Sequence, residues 1–353
     1  MKKLLHKLKP RRDSTSSSSR ITNDTVAEHR ERILAGGRKF KYPIQYARHR
    51  LVFNAILISV VALIIVVLIG WWQLYPAQNT SEFMYRVTKV IPVPVASVDG
   101  QPVLYSDYLM KYRSSIYYLE QKEQVSLKTE DGKRRVEYTK QQAMQDSIAD
   151  AYAMKLANQM GLSVSDVELE AFLKSQRQSS DGEISEQTYD SVIADYYNWS
   201  PSEYRHATKN KLLRQKVTYA IDKDAKSLSD QVAEILQKAP TTNLKDLTTQ
   251  LAGSSHKAIY GAPGWVLKTN QDGGLSTAAA KLKKGEVSTV VKSISGDGYY
   301  FVRLIDVNQT QVSYEYIEIP LTTFDTQLKK IIDSNKVQEY IDIPKSATTK
   351  QEG

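Results

Sequence analysis

The chain has no cysteine, so disulfides, thiolate metal sites and thiol nucleophiles are all excluded, and stability has to come from core packing. Histidine is scarce as well: the five, at positions 6, 29, 49, 206 and 256, show no ligand spacing such as HExxH, so neither a metal nor a cofactor is expected. Phenylalanine is rare, 6 against 22 tyrosines, which gives most of the aromatic surface a polar tip. Charge is missing altogether from residues 51–75.

What is present is unevenly spread. The formal charge is +9, yet residues 1–50 hold 14 Lys and Arg against 4 Asp and Glu, leaving 34 basic and 35 acidic residues over 76–353. The large C-terminal part is thus nearly neutral. A nucleic-acid-binding surface needs its positive excess on a folded domain; here the excess lies in a tail abutting an apolar segment, so a membrane is expected and nucleic acid is not. At 353 residues the chain is also too long for one average domain.

From Leu51 to Trp72, LVFNAILISVVALIIVVLIGWW contains one amide, Asn54, and no charge. At about 1.5 Å per residue such a run crosses a bilayer core of roughly 30 Å. Trp71, Trp72 and Tyr75 supply interfacial rings at one end, Arg48 and Arg50 mark the other, and the Lys/Arg asymmetry keeps the N-terminus cytoplasmic. A cleaved signal peptide has a short leader and an apolar run of about 7–15 residues, unlike this one. The expectation is a single-pass cell-membrane protein with an uncleaved anchor. It has a basic, largely disordered cytoplasmic tail over 1–50, a transmembrane helix over 51–75, and an extracytoplasmic C-terminal domain raised on a stalk over 76–94, where Pro76, Pro92 and Pro94 interrupt the pattern.

Beyond the stalk, Val95–Val98 stops at Asp99-Gly100, a hairpin dipeptide, and Val103-Leu104 resume before Ser106, which is placed to cap a helix. Met144, Ile148, Tyr152, Leu156 and Met160 recur every four residues along one helical face that ends at Gly161. Ser165 with Glu168, and Ser200-Pro201 with Glu203, are capping boxes opening two more helices. Residues 106–220 therefore read as mainly helical, with polar loops over 121–138 and 174–185. After about residue 226 come two amphipathic helices, SLSDQVAEILQKA and NLKDLTTQLA, and then a loop broken by Gly261, Gly264, Gly273 and Gly274 around Trp265. A helix ending at Gly285, the strands YYFVRLIDV and VSYEYIEIP, and a closing amphipathic helix over 324–341 complete an α/β half.

The opening VASVDGQPVLYSDY resembles the signature V-A-x-V-N/D-G-x-x-I-x-x-x-D/E of the SurA/PpiD/PrsA group of extracytoplasmic chaperones. LSVSDVELEAF and WSPSEYRHATKNKLLRQKV are similar to the rest of that chaperone domain. GAPGWV at 261–266 is similar to the parvulin GGDLGW turn, LKKGEVS at 282–288 to L-x-x-G-E-I/V-S, and GYYFVRL at 298–304 to G-Y-H-I-I-K-V. The resemblance covers 93–341. It implies an α+β fold: a mainly helical SurA-like chaperone domain over 95–222 and an inserted parvulin-like (PpiC-type) α/β lobe over 223–312. A strand and C-terminal helix over 313–343 return to the chaperone domain, and a disordered tail over 344–353 follows. The partners it implies are unfolded or nascent secreted polypeptides and the secretion translocon.

Parvulins surround the substrate proline with two His, an acidic or Cys residue and apolar side chains, and ease rotation about an X-Pro bond whose barrier is roughly 18–20 kcal/mol. In this sequence the second His falls on Tyr300, the pocket Phe on Leu275, and the Ser-x-Asp motif appears as Ser254-Ser255-His256. No His-bearing first strand is recognisable before Ser227; VTYAI at 217–221 and VSYEYIEIP are the available replacements, and neither contains His. The resemblance thus implies catalytic candidates at His256 and Tyr300 and substrate contacts at Trp265, Leu275 and Tyr300. The plainer readings are an exposed loop residue for His256, a packed strand residue for Tyr300, and core positions for Trp265 and Leu275. Three functions remain open: a chaperone or foldase with a degenerate isomerase site, an active peptidyl-prolyl cis-trans isomerase, and a non-catalytic envelope scaffold. For the first, Tyr117-Tyr118 and Tyr196-Tyr197 near Trp199 are rings suited to adaptable peptide contact.

Overall fold

With no charge and no proline between Leu51 and Leu74, nothing interrupts the helical ladder. The computed structural model, which describes residues 22–41, 43–179, 182–251 and 257–343, has one continuous helix there. It is α2 (Pro43–Leu74), preceded by α1 (Asn23–Lys41). Residues 49–74 are long and apolar enough to cross a membrane by length and composition. Every side chain from Leu51 to Ile69 is exposed. The tail, expected to be largely disordered, is helical over α1, whose start is fastened by the Thr25 hydroxyl donating to the Thr22 carbonyl at 2.7 Å. The chain divides into two compact units, 1–72 and 73–353.

The stretch expected to be a stalk carries a helix, α3 (Glu82–Val90), with Met84, Tyr85 and Thr88 buried. Its prolines lie outside the helix, and the Ser81 side chain caps it by accepting from the Met84 N–H. The hairpin follows as β1 (Pro94–Val98) and β2 (Gln101–Leu104). Asp99 and Gly100 both take left-handed backbone, φ 46° and 84°, as a two-residue turn matched to strand twist requires. Next is α4 (Tyr105–Gln121), which starts before Ser106, so that residue caps nothing. In α4 the buried Tyr105, Tyr108 and Tyr112 pack ring to ring, 5.9 Å between neighbours.

α5 (Glu130–Met160) begins well inside the segment expected to be a loop over 121–138. Thr129 caps it by accepting from the Gly132 N–H, and a Cβ at Gly132 would stand 2.1 Å from the Ser126 carbonyl, so only glycine permits this tight entry. α6 (Asp166–Gln176), the short hairpin β3 (Gln178–Ser179) and β4 (Gly182–Glu183), α7 (Glu186–Tyr197) and α8 (Pro201–Ile221) follow. Both expected capping boxes, at Ser165/Glu168 and Ser200/Glu203, are present.

The lobe comprises α9 (Lys223–Lys238), α10 (Leu244–Gln250), β5 (Ile259–Leu267), α11 (Leu275–Ala279), β6 (Val291–Lys292), β7 (Gly298–Val307) and β8 (Gln311–Pro320). Its antiparallel sheet runs β5-β8-β7-β6. The segment around Trp265 is therefore a strand rather than a glycine-broken loop. Gly261 is needed because the Tyr316 ring crosses it, and the left-handed Gly264, φ 82°, accompanies a register shift. VTYAI is the end of α8, whereas VSYEYIEIP is β8, an interior strand entered from a tight turn after β7. So β8 belongs to the lobe's sheet, beyond the boundary expected at 312.

One face of the sheet, with Tyr299, Phe301, Ile317 and Ile319, covers α9 and α10; the other packs against α11. The chain then returns through α12 (Thr323–Asp333) and β9 (Val337–Glu339). The closing helix expected over 324–341 is thus shorter. Asn335 turns left-handed, φ 55°, and β9 adds a third strand to the open edge of β1, pairing Ala96 with Glu339. Phe324, Ile341 and Ile343 join Val95, Leu109, Met144 and Ile148 in the helical core.

Candidate functional site

Side chains alternate across a strand, so the even-numbered residues of β7 and β8 share the α11 face: Tyr300, Val302, Leu304, Tyr314 and Tyr316 cluster with Leu275 and Ala279. Tyr300 is 6% exposed and Leu275 5%. The Tyr300 and Tyr316 rings are 5.6 Å apart, and Tyr316 fills the space over Gly261, where a Cβ would stand 2.3 Å from it. The Tyr314 hydroxyl donates to Asp272 Oδ2 at 2.6 Å, and the same carboxylate accepts from the Ser276 N–H at 3.1 Å.

Burial, reinforced by the carboxylates of Asp297 and Glu318 beside its hydroxyl, pushes the Tyr300 phenol far up. Burial and then the negative neighbour Asp297 raise the Glu318 carboxyl. A phenol in this setting stays protonated at neutral pH and acts as a hydrogen-bond donor, not as a base.

Tyr300 and Leu275 are thus brought together. Trp265 is not with them: its neighbour Val266 packs into the Tyr300 cluster, so Trp265 lies on the opposite side of β5 and is 49% exposed. Ser254, Ser255 and His256 lie outside the described residues. Sequence reasoning missed Asp297, Glu318, Tyr314 and Tyr316; the alternation in YEYIE was the available signal for the last three. Among the described residues no group of three His, Asp or Glu is arranged to hold a metal ion.

The second place is a groove of about 790 Å³ on the helical domain, lined from α4 by Ser114, Tyr118 and Leu119, from α5 by Arg135, Tyr138 and Thr139, and from α7 by Tyr196 and Tyr197. Tyr118 stacks on Tyr196 at 6.4 Å, Lys122 Nζ lies 5.3 Å over the Tyr196 ring, and Tyr197 stacks on Trp199 at 5.0 Å. Local rules build this wall: Asn198 ends α7 in left-handed backbone, φ 53°, which swings Trp199 back so that its indole N–H donates to the Met110 carbonyl at 3.3 Å. The groove's rings keep large exposed areas, 56% for Tyr138 and 49% for Tyr196. Tyr138 went unrecognised because its segment read as loop; Thr129 followed by Glu130 and Asp131 was the overlooked helix start.

The profile of the SurA-like N-terminal domain matches residues 46–218, and that of the PPIC-type PPIase domain matches residues 189–318. No curated protein matches the chain. A solved Campylobacter jejuni structure is similar at 14% identity over 69% of this chain and 91% of that chain, with a TM-score of 0.24. It comes from work describing the virulence factor PEB4 and the periplasmic protein Cj1289 as two structurally related SurA-like chaperones.

Proposed function

This chain is of the SurA/PpiD chaperone type, with a parvulin domain, and from that premise we propose that it is a membrane-anchored extracytoplasmic holdase whose isomerase site is closed. Unfolded or newly translocated polypeptides are held in the tyrosine groove between α4, α5 and α7. The apolar helix over 49–74 anchors the chain in the cell membrane, with the N-terminus cytoplasmic and the translocon nearby.

The observation that carries the reading is the contrast between the two places. The groove offers about 790 Å³ lined by exposed rings, each with an apolar body and a hydroxyl tip, which suits varied peptide segments in water. At the isomerase position, Tyr300, Tyr316 and Leu275 fill the space against one another. Tyr300 and Leu275 keep only 6% and 5% of their surface for a prolyl ring to touch, and the phenol donor has no imidazole partner among the described residues. Binding of unfolded chains needs area; bond rotation needs an open, preorganised pocket.

The full chain in detergent micelles tests this by two readouts. It suppresses aggregation of several unrelated unfolded proteins, and Tyr118→Ala with Tyr196→Ala weakens that suppression several-fold, since each ring removed forfeits about 1 kcal/mol or more of contact. It does not accelerate cis/trans exchange in a proline-containing peptide. Strong acceleration that disappears in Tyr300→Phe, or unimpaired suppression in the double variant, overturns the reading. Protease added to intact cells or spheroplasts should digest the 73–353 portion; its protection inside the cytosol would remove the premise of extracytoplasmic clients.

A further inference from the structure

A second concavity, of about 650 Å³, opens between α8 and the β5, α11 and β6 segments of the lobe. Its described lining contains four lysines, Lys211 of α8, Lys268 after β5, Lys281 after α11 and Lys292 of β6, and no Asp or Glu. Over 76–353 as a whole basic and acidic residues are balanced, 34 against 35, so this is a local excess rather than a general one.

None of the four lysines is in an ion pair among the described residues. Lys211 lies 5.9 Å over the Phe172 ring, Lys292 5.3 Å over the Tyr219 ring, and Lys268 donates to the Gln309 carbonyl at 3.1 Å. The nearest carboxylate in the same loop, Asp272, is turned inward, where it accepts from the Tyr314 hydroxyl and the Ser276 N–H. The four flexible stems start from one concave surface, and an anion entering it attracts their ammonium groups with no carboxylate of the described lining to compete. Point charges on flexible stems suit carboxylates at irregular spacing, whereas a fixed phosphate site favours guanidinium forks. Gln178 and Asn270 on the same lining offer donors and acceptors together, as the N–H and C=O groups of a peptide backbone require and an all-acceptor polyphosphate does not.

We propose that this cleft binds acidic stretches of extended polypeptide. The proposal rests on the polypeptide-binding reading above and adds which client segments are taken: apolar and aromatic ones in the tyrosine groove, Asp/Glu-rich ones between the four lysines.

The test titrates the full chain in detergent micelles against labelled peptides by fluorescence anisotropy. Three Gly/Ser peptides of about twelve residues carry Glu, Gln or Lys at alternate positions, and a fourth is rich in Tyr and Leu. The Glu peptide is expected to bind about tenfold more tightly than the Gln or Lys peptide, with its advantage lost as salt rises from about 50 to 250 mM. Lys211→Gln with Lys281→Gln, both exposed and so neutral for folding, lowers Glu-peptide affinity about tenfold and leaves the Tyr/Leu peptide unchanged. Equal binding of Glu and Gln peptides, or an unaltered Glu-peptide affinity in the double variant, overturns the proposal. So does displacement by polyphosphate at lower concentration than by unlabelled Glu peptide. If the Tyr/Leu peptide binds while the Glu peptide does not, only the acidic cleft falls; if neither binds, the holdase reading falls with it.

Discussion

At the residue scale, Glu203 shows how a local rule and a distant contact meet in one side chain. As the third residue of a capping box it accepts from the Ser200 N–H at 2.8 Å, and it also accepts from the Tyr85 hydroxyl of α3 and from Lys89 Nζ at 3.1 Å. Burial opposes its ionisation, but the Tyr85, Ser200 and Lys89 hydrogen bonds outweigh burial and hold the carboxyl down at about 2. The sign follows directly. A carboxyl whose folded pKa lies below its ordinary 4.5 adds stability that is fully present above that value and is lost as pH falls toward about 2. Denaturant melts of the wild type should therefore weaken over this acid window, and Glu203→Gln should flatten that limb while lowering stability at neutral pH. An unchanged acid limb in the variant would show that Glu203 is not the group responsible. The capping half of this arrangement was legible because its partners are three residues apart; the Tyr85 half spans 118 residues and was not.

At the element scale, the decisive junction is where the lobe leaves and rejoins the helical domain. Asp222, fully buried, caps α9 by accepting from the Ala225 N–H at 3.1 Å, and its other oxygen accepts from the Thr322 and Thr323 N–H groups at 2.8 and 3.0 Å. One carboxylate thus ties the outgoing segment to the returning one, a hundred residues later. Asp222→Ala leaves those donors unpaired in a dry environment and should cost about 1.5–3 kcal/mol, read as a lower urea midpoint at constant slope. A shift within error would mean that water takes the carboxylate's place. The elements themselves were largely visible: the Asp99-Gly100 hairpin, the capped helices and the β7 and β8 strands all announce themselves through spacing. The failures have physical causes. Prolines at 76, 92 and 94 suggested a stalk, yet they flank α3 rather than interrupt it, and the glycines around Trp265 suggested a loop, yet Gly261 serves the close passage of Tyr316.

For the whole molecule, among the described residues every buried core side chain lies at or after Leu74. A chain reduced to 73–353 should therefore remain soluble and melt within about 2 °C of the full protein in micelles, because no core contact is deleted. A large drop in melting temperature, or aggregation, would show that the anchor contributes to the fold. The balance of charge over this part permits solubility without a strong field, which is why the lysine-lined cleft stands out as a local feature rather than as part of a basic surface.

By itself the sequence determined the uncharged 51–75 segment, the hairpin and capped helices of the chaperone domain, and the alternation of the lobe's strands, because each depends on interactions within a few residues. Only the tertiary structure decided that β8 fills the sheet's interior, that Tyr300 packs with Leu275 and Tyr316 while Trp265 lies apart, and that lysines 57 to 81 positions away from Lys211 line one cleft with it. Those arrangements are set by which apolar faces cover one another, a choice made between distant segments that no local pattern encodes.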